Sequence, residues 1–289
     1  KKKKKKKKKM NNNLKNTATF GVAGNFTGHL EQAGEAVDFK NVKTSEADAP
    51  KAIFPTYIPG GNEKVPDYLK IYPFDSKKIL FPKGEQKLQI EPECAIVFNA
   101  EWKEGQLVSL EPVEFGASND CSIRKEGAKK ISQKKNWGNS TKGFAENTIK
   151  INSFDSKGIL NRYRIASYLV RGNEIYQYGE DSAVRDYSYV YEKLVFWMID
   201  KFNNQKDEGP AENIHSYLED AVFPEKIMVS IGATRYTDFG EHNFLQDKDL
   251  SVVILYPEDV YTKNQIEEML KSKKFNRPDI SVLMQEVIL

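Results

Sequence analysis

Three carboxylates and one histidine carry the chemistry that this sequence offers. Glu91-Pro92-Glu93 sets two glutamates two positions apart, and Asn119-Asp120-Cys121-Ser122-Ile123-Arg124 brings a third acid later in the chain. Side chains two apart on a strand share a face, so Glu91 and Glu93 project together, with Ala95 and Val97 continuing that face inward. Adjacent carboxylates on a half-buried face repel and lose hydration unless a cation neutralises them. Asp120, ending a second strand-like stretch, completes a three-oxygen set whose hard donors suit Mg²⁺, Mn²⁺ or Ca²⁺ over zinc. The same residues also fit a solvated Glu-x-Glu pair and an Asx turn at Asn119-Asp120. Upstream, the Gly-rich segment Gly21–Gln32 holds His29 beside Glu31, and the whole chain has only 3 histidines.

The elements that must position these groups are mostly strands. Period-two patterns and flanking turn residues predict strands over Lys87–Phe98, Gln106–Phe115, Arg162–Leu169, Glu174–Tyr178, Lys226–Ile231 and Leu250–Leu255. Arg171-Gly172-Asn173 has hairpin chemistry. Helical spacing is confined to a short segment over His29–Val37, capped by Asn25 or Thr27, to Tyr189–Phe202 and to Tyr261–Lys273. Without alternating βαβ units, the pattern predicts one α+β, β-rich domain.

Composition narrows the class. Residues 1–9 are all lysine and precede Met10, which reads as a tag-like tail ahead of a natural start. The net charge of +3 belongs to that tail: without its nine lysines, 35 basic residues face 41 acidic ones, a net of −6. A nucleic-acid partner is therefore not expected. Apolar runs fall well short of the ~20 residues of a membrane span. Cys94 and Cys121 offer neither a disulfide framework nor metal spacing, so they read as buried thiols of a reducing cytoplasm. We expect a disordered lysine/asparagine tail over residues 1–16, a catalytic domain over 17–257 and a C-terminal extension over 258–289.

With their flanks included, these segments resemble the fumarylacetoacetate hydrolase family, whose members share a metal-binding β-roll. Gly21 through Gln32 is similar to the family's G-x-x-x-N-Y-x-x-H-x-x-E opening, and Pro50–Pro55 is a loose counterpart of its P-x-F-x-K-P region. Glu91–Val97 resembles the metal strand E-x-E-L-A-V-V, and Asn119–Lys125 resembles N-D-V-S-x-R-D. Trp137–Ala145 approaches W-x-x-x-K-S-F-D with one extra residue. Gly172–Gln177 matches a hairpin segment, and Gly232-Ala233-Thr234 precedes Phe244–Asp249 as a G-T-P segment precedes F-L-x-x-G-D. Each motif is weak alone; seven in family order, over roughly residues 20–257, are specific.

The resemblance implies a mixed-sheet roll or sandwich like the family's C-terminal domain. It implies that Glu91, Glu93 and Asp120 bind Mg²⁺ or Mn²⁺ (Ca²⁺ in a crystal), that Lys142 is the active-site lysine, and that His29 is a lid histidine working with a carboxylate. Thr234 would contact the substrate's carboxylate end, and the active form would be a homodimer. Three departures stand out. Gln32 occupies the usual place of the histidine's glutamate, leaving Glu31 one position early, Lys125 and Ala145 replace aspartates, and residues 258–289 have no recognised counterpart.

Three functions follow as expectations. The first is a divalent-metal-dependent hydrolase cleaving a C–C bond in a 2,4-dioxo acid, an acylpyruvate-like small molecule. The second is a decarboxylase, hydratase or isomerase acting on a 2-oxo acid through a metal-stabilised enolate, favoured if the base is displaced. The third is a metal-stabilised binding protein without turnover. Arg124 reads equally as a substrate clamp or a structural ion-pair partner. The lysines at 125, 129, 130, 134 and 135 read as a solvated loop that could steer an anion or fold over the site. His215 and His242 read as surface residues.

Overall fold

The computed structural model describes residues 14–289; the polylysine tail expected over residues 1–9 lies outside them. The strands, in chain order, are β1 (Ala18–Ala23), β2 (Ala52–Tyr57), β3 (Lys78–Leu80), β4 (Leu88–Gln89), β5 (Pro92–Lys103), β6 (Gln106–Asn119) and β7 (Ser122–Ile123). Then come β8 (Gly143–Phe144), β9 (Ile149–Lys150), β10 (Tyr163–Arg171), β11 (Glu174–Ala183), β12 (Lys226–Ala233), β13 (Leu250–Pro257) and β14 (Ser281–Ile288). The α-helices are α1 (His29–Gln32), α2 (Tyr191–Asn204), α3 (Ile214–Asp220), α4 (Asp238–His242) and α5 (Lys263–Ser272).

The long β5–β6 hairpin is the spine. Its two-residue turn, Glu104-Gly105, has positive φ at both positions (49° and 76°), the twist that antiparallel strands favour. Residues 92–98 are buried on both faces, and burial alternates only beyond Phe98, where the hairpin leaves the core. A strand covered on both sides reads as a continuous apolar run. The first sheet has the order β2-β1-β12-β5-β6-β8, with β9 also on β6; β1 and β12 are parallel. The second has the order β11-β10-β13-β14-β3, with β14 and β3 parallel. One core fills the space between them, joining Cys94, Ile96, Phe115 and Ala117 to Ile165, Val253, Leu255 and Leu283. This is the expected α+β mixed-sheet architecture.

Residues 258–289 are integral to the fold rather than appended to it. Helix α5 lays Ile266 and Leu270 on the second sheet against Tyr168, Val252, Ile254 and Tyr256. Strand β14 is the central neighbour of β13 and β3. Of the expected tail, residues 14–16 form a short 3-10 turn with Leu14 buried. The expected helix over His29–Val37 is a four-residue helix followed by a 3-10 turn at Ala36–Phe39. Gly28 and Gly34, both at positive φ, break the segment up.

Candidate metal centre

The two glutamates and the aspartate meet because β5 begins where β6 ends. Pro92 pairs with Asn119, which sets Glu91 and Glu93 beside Asp120, the first residue past β6. Two hydrogen bonds lock this corner: Glu91 N–H donates to Asn119 Oδ1 (3.1 Å) and Asp120 N–H donates to Glu91 O (3.1 Å). One carboxylate oxygen from each of Glu91, Glu93 and Asp120 lies within 4.8 Å of the others, and all three residues are buried. The expected convergence is therefore present.

The corner carries unusual charge for its burial. Glu93 accepts one hydrogen bond, from Gly232 N–H at 2.8 Å. Burial, followed by the nearby charges of Asp120 and Glu91, pushes its carboxyl well above the usual range. Burial also raises Asp120, against the pull of Lys135 and Lys142. Neither Asp120 side-chain oxygen has a hydrogen bond of good geometry among the described residues. Glu91 behaves oppositely: burial raises its carboxyl, but Lys135 and Arg124 more than offset this and hold it well below the usual range. Three hard oxygen donors converging in one buried corner, two of them on carboxyls that burial disfavours as anions, fit a divalent cation such as Mg²⁺ or Mn²⁺.

Around the triad lies a shell of buried cations. Lys135 Nζ is 2.7 Å from Glu91 Oε2 and 2.9 Å from Asp120 Oδ2. Arg124 spans Glu91 Oε1 (2.8 Å) and Glu35 Oε1 (2.9 Å), donates from Nε to Gln89 (2.7 Å) and also reaches Tyr236 Oη (3.0 Å). Lys134 Nζ pairs with Glu35 Oε1 at 2.7 Å. Lys142 Nζ lies 3.4 Å from Asp120 Oδ1, donates to Cys121 O and sits 5.0 Å above the Trp137 ring. Burial first, and Lys135 second among the causes that act the same way, lower its ammonium from the usual value. Four acids (Glu35, Glu91, Glu93, Asp120) thus face four bases (Arg124, Lys134, Lys135, Lys142) in one buried cluster.

The solvated loop expected over Lys125–Lys135 is corrected at its end. The 3-10 turn Ile131–Lys134 directs Lys134 and Lys135 inward, where carboxylates distant in sequence neutralise them. Arg124 is an ion-pair partner within the cluster. Cys121 is a buried thiol pushed up to about 12 by burial, and burial raises Cys94 too, as expected of inert thiols.

His29 is buried at the edge of the cluster. Its Nδ1 is 2.9 Å from Thr234 O, and its Nε2 is 3.7 Å from Glu91 Oε1. Glu31, expected as its carboxylate partner, is exposed instead and lines a surface cleft of about 270 Å³ with Gly24, Phe26, Thr27 and Lys51. In a helix a residue two positions on points away from the first, which the four-residue α1 is long enough to enforce. Gln32 does not substitute for it: its amide straps α1 to Tyr236, donating to the carbonyl (3.0 Å) and accepting from the N–H (2.7 Å). Thr234 is buried, and its hydroxyl has no hydrogen-bond partner among the described residues. Glu35 and Tyr236 escaped the sequence reading, and Lys134 and Lys135 entered it only as part of the lysine-rich loop. Glu35 lies six residues past His29, and Tyr236 two past Thr234.

The backbone has the fold of the fumarylacetoacetate hydrolase family. It is similar to a 2-keto-3-deoxy-D-arabinonate dehydratase complexed with magnesium and 2,5-dioxopentanoate (TM-score 0.53, 13% identity), covering 94% of this chain and 72% of that one. It is similar also to a protein of Yersinia pestis CO92 placed in the fumarylacetoacetate hydrolase family (TM-score 0.52, 12% identity), with 94% and 93% covered. A third similar structure is Cg1458 (TM-score 0.51, 13% identity, 94% and 76% covered). At such identities the likeness establishes the fold. No curated protein sequence matches the chain. The chain belongs to DUF5718, a family of unknown function, which it matches over residues 35–287. Among the described residues no helix is long and apolar enough to cross a membrane.

Proposed function

We propose that this protein is a divalent-metal-dependent enzyme acting on a 2-oxo acid. The observation that carries the proposal is the buried triad Glu91, Glu93 and Asp120, whose carboxylate oxygens lie within 4.8 Å of one another. A divalent cation held there supplies Lewis acidity toward the oxygens of a 2-oxo acid. Lys142 adds positive charge beside Asp120, in a low-dielectric site where charge developing on a substrate oxygen interacts strongly with it. His29 is the group placed to move a proton. A carbonyl oxygen only accepts, so the contact with Thr234 O assigns hydrogen to Nδ1 and leaves Nε2 as the basic nitrogen of the neutral ring.

Among reactions, decarboxylation, hydration–dehydration or isomerisation is favoured by the exposure of Glu31 and by the strapping role of Gln32. Neither side chain is placed to help His29 activate water. Hydrolytic cleavage of a 2,4-dioxo acid is the second reading, and the observation favouring it is the approach of His29 Nε2 to Glu91. The site is nearly sealed, with His29 5% exposed and Glu93 and Lys142 1% exposed, so substrate entry requires a covering segment to move.

The test is Mg²⁺-dependent exchange of C3 protons in D₂O, followed by NMR across a panel of 2-oxo and 2,4-dioxo acids. Exchange or turnover that needs both Mg²⁺ and Glu93 is the expected result, and the product identifies the reaction. Metal binding with neither exchange nor turnover across the panel would establish the binding-protein alternative in its place.

A further inference from the structure

Lys135 stands where the metal reading of the site leaves no need for it. Its ammonium bridges Glu91 Oε2 (2.7 Å) and Asp120 Oδ2 (2.9 Å), two of the three carboxylates that would hold a cation. This position is built by several independent contacts. The Lys135 N–H closes the 3-10 turn on Ser132 O (3.1 Å), and the next side chain, Asn136, donates to Thr56 O (3.0 Å) and Ile71 O (2.9 Å). The backbone is therefore pinned on both sides of the lysine. The ammonium lies 4.8 Å from the centre of the Phe54 ring, a cation–π distance. That ring in turn occupies the space at Gly21 where a Cβ would come within 2.3 Å of it.

The ion pairs of Glu35 are with Arg124 and Lys134, and those of Lys135 are with Glu91 and Asp120. A divalent cation drawn to Glu91, Glu93 and Asp120 would seek the same oxygens. Like charges a few ångströms apart in a buried site repel strongly, so the ammonium and the metal cannot both occupy that centre.

Building on the metal reading above, we propose that Lys135 is a resident cation that competes with the divalent metal for Glu91 and Asp120. With no metal bound, it holds the two carboxylates together and balances the cluster. With metal bound, its ammonium leaves the position between them. The price of metal entry is this displacement, which sets the affinity of the site below what its three carboxylates would give alone. A merely supporting lysine predicts the opposite sign: its loss would loosen the carboxylates and weaken metal binding.

The experiment measures Mn²⁺ binding by titration calorimetry to wild type and to Lys135→Met at one pH and ionic strength, together with thermal melts with and without Mn²⁺. We expect the variant to bind Mn²⁺ at least 10-fold more tightly, with a lower metal-free Tm and a larger Mn²⁺-induced rise. Tight binding by the variant and none by wild type is the same result in its strongest form. So is a variant that folds only with Mn²⁺ present. Unchanged or weaker binding in Lys135→Met overturns the competition and leaves the metal centre standing. Mn²⁺ bound by neither protein overturns both. If Lys135→Met folds under neither condition, Lys135→Gln, which keeps a hydrogen-bond donor but no charge, is measured against the same outcomes.

Discussion

Asn119 Nδ2 donates to Gln285 Oε1 at 3.1 Å, joining residues 166 positions apart and tying the last strand to the corner that carries Asp120. The opposite side of Asn119 accepts the Glu91 N–H, so one amide connects β14 to the glutamate pair. Gln285 also donates to Asp75 O at 2.8 Å and to Lys142 O at 3.4 Å, and Gly143 passes so close that a Cβ there would lie 2.5 Å from the Gln285 amide. Replacing Gln285 with Leu leaves buried partners unsatisfied. We expect a loss of about 1–3 kcal/mol in chemical denaturation, with a smaller metal-induced rise in Tm as the corner loosens. Wild-type values for both would remove β14 from any role in the site.

Glu93→Ala takes away one of three anionic donors and relieves the repulsion that disfavours its ionised form. The metal-free variant should fold with stability no lower than expected for losing a single hydrogen bond to Gly232 N–H. The Mg²⁺- or Mn²⁺-induced rise in Tm should vanish, because a metal stabilises by mass action only what it binds in the native state. A rise equal to that of wild type would exclude Glu93 as a ligand.

Acid should weaken the ionic shell through Glu35. Burial raises this carboxyl, but Arg124, Lys135 and Lys134 outweigh it and leave it below its ordinary value of 4.5. A carboxyl with a lowered folded value contributes stability that is present above the unfolded value and is lost as pH falls through the folded one. Glu35→Gln strands Lys134 without its anion and leaves Arg124 with Glu91 alone, at a cost of about 3–5 kcal/mol near neutrality. That difference from wild type should shrink as pH drops below about 4.5. Urea denaturation at a series of pH values reads it directly, and a difference that stays constant would show that the ion pairs carry none of the stability.

The triad was legible because its geometry is local twice over. Glu91 and Glu93 share a face by strand period, and Asp120 follows a strand that hairpins back on theirs. The shell was not. Lys134 and Lys135 sit in a lysine-rich run whose composition says solvent, and their burial is compensated by Glu35 and Glu91, 99 and 44 positions away. No local pattern reports such partners. Strand β14 alternates buried and exposed positions, yet its buried Gln285 interrupts the apolar face that would have marked it. Strands β1 and β2 are buried at every position, so they show no alternation at all. The partner of His29 depended on whether its segment was loop or helix, and a single four-residue turn decided that against Glu31.

His29 offers the sharpest separation of binding from chemistry. Its Nδ1 is tied to Thr234 O and its Nε2 faces the carboxylate cluster, 3.7 Å from Glu91, without sharing a ligand position in the triad. If it moves a proton during turnover, His29→Ala should lower kcat by about 10²-fold or more. The Mn²⁺ affinity should remain at the wild-type level, since no metal donor is lost. His29→Gln is the informative companion, because an amide can hydrogen-bond Thr234 O yet cannot take up a proton. A kcat restored by glutamine would make His29 a positioning residue for the 234–236 segment. Equal losses in both variants, at wild-type metal affinity, would identify Nε2 as the site of proton transfer. A loss confined to 2,4-dioxo acids, with C3 proton exchange of simple 2-oxo acids intact, would assign His29 to water activation and return the hydrolase to first place.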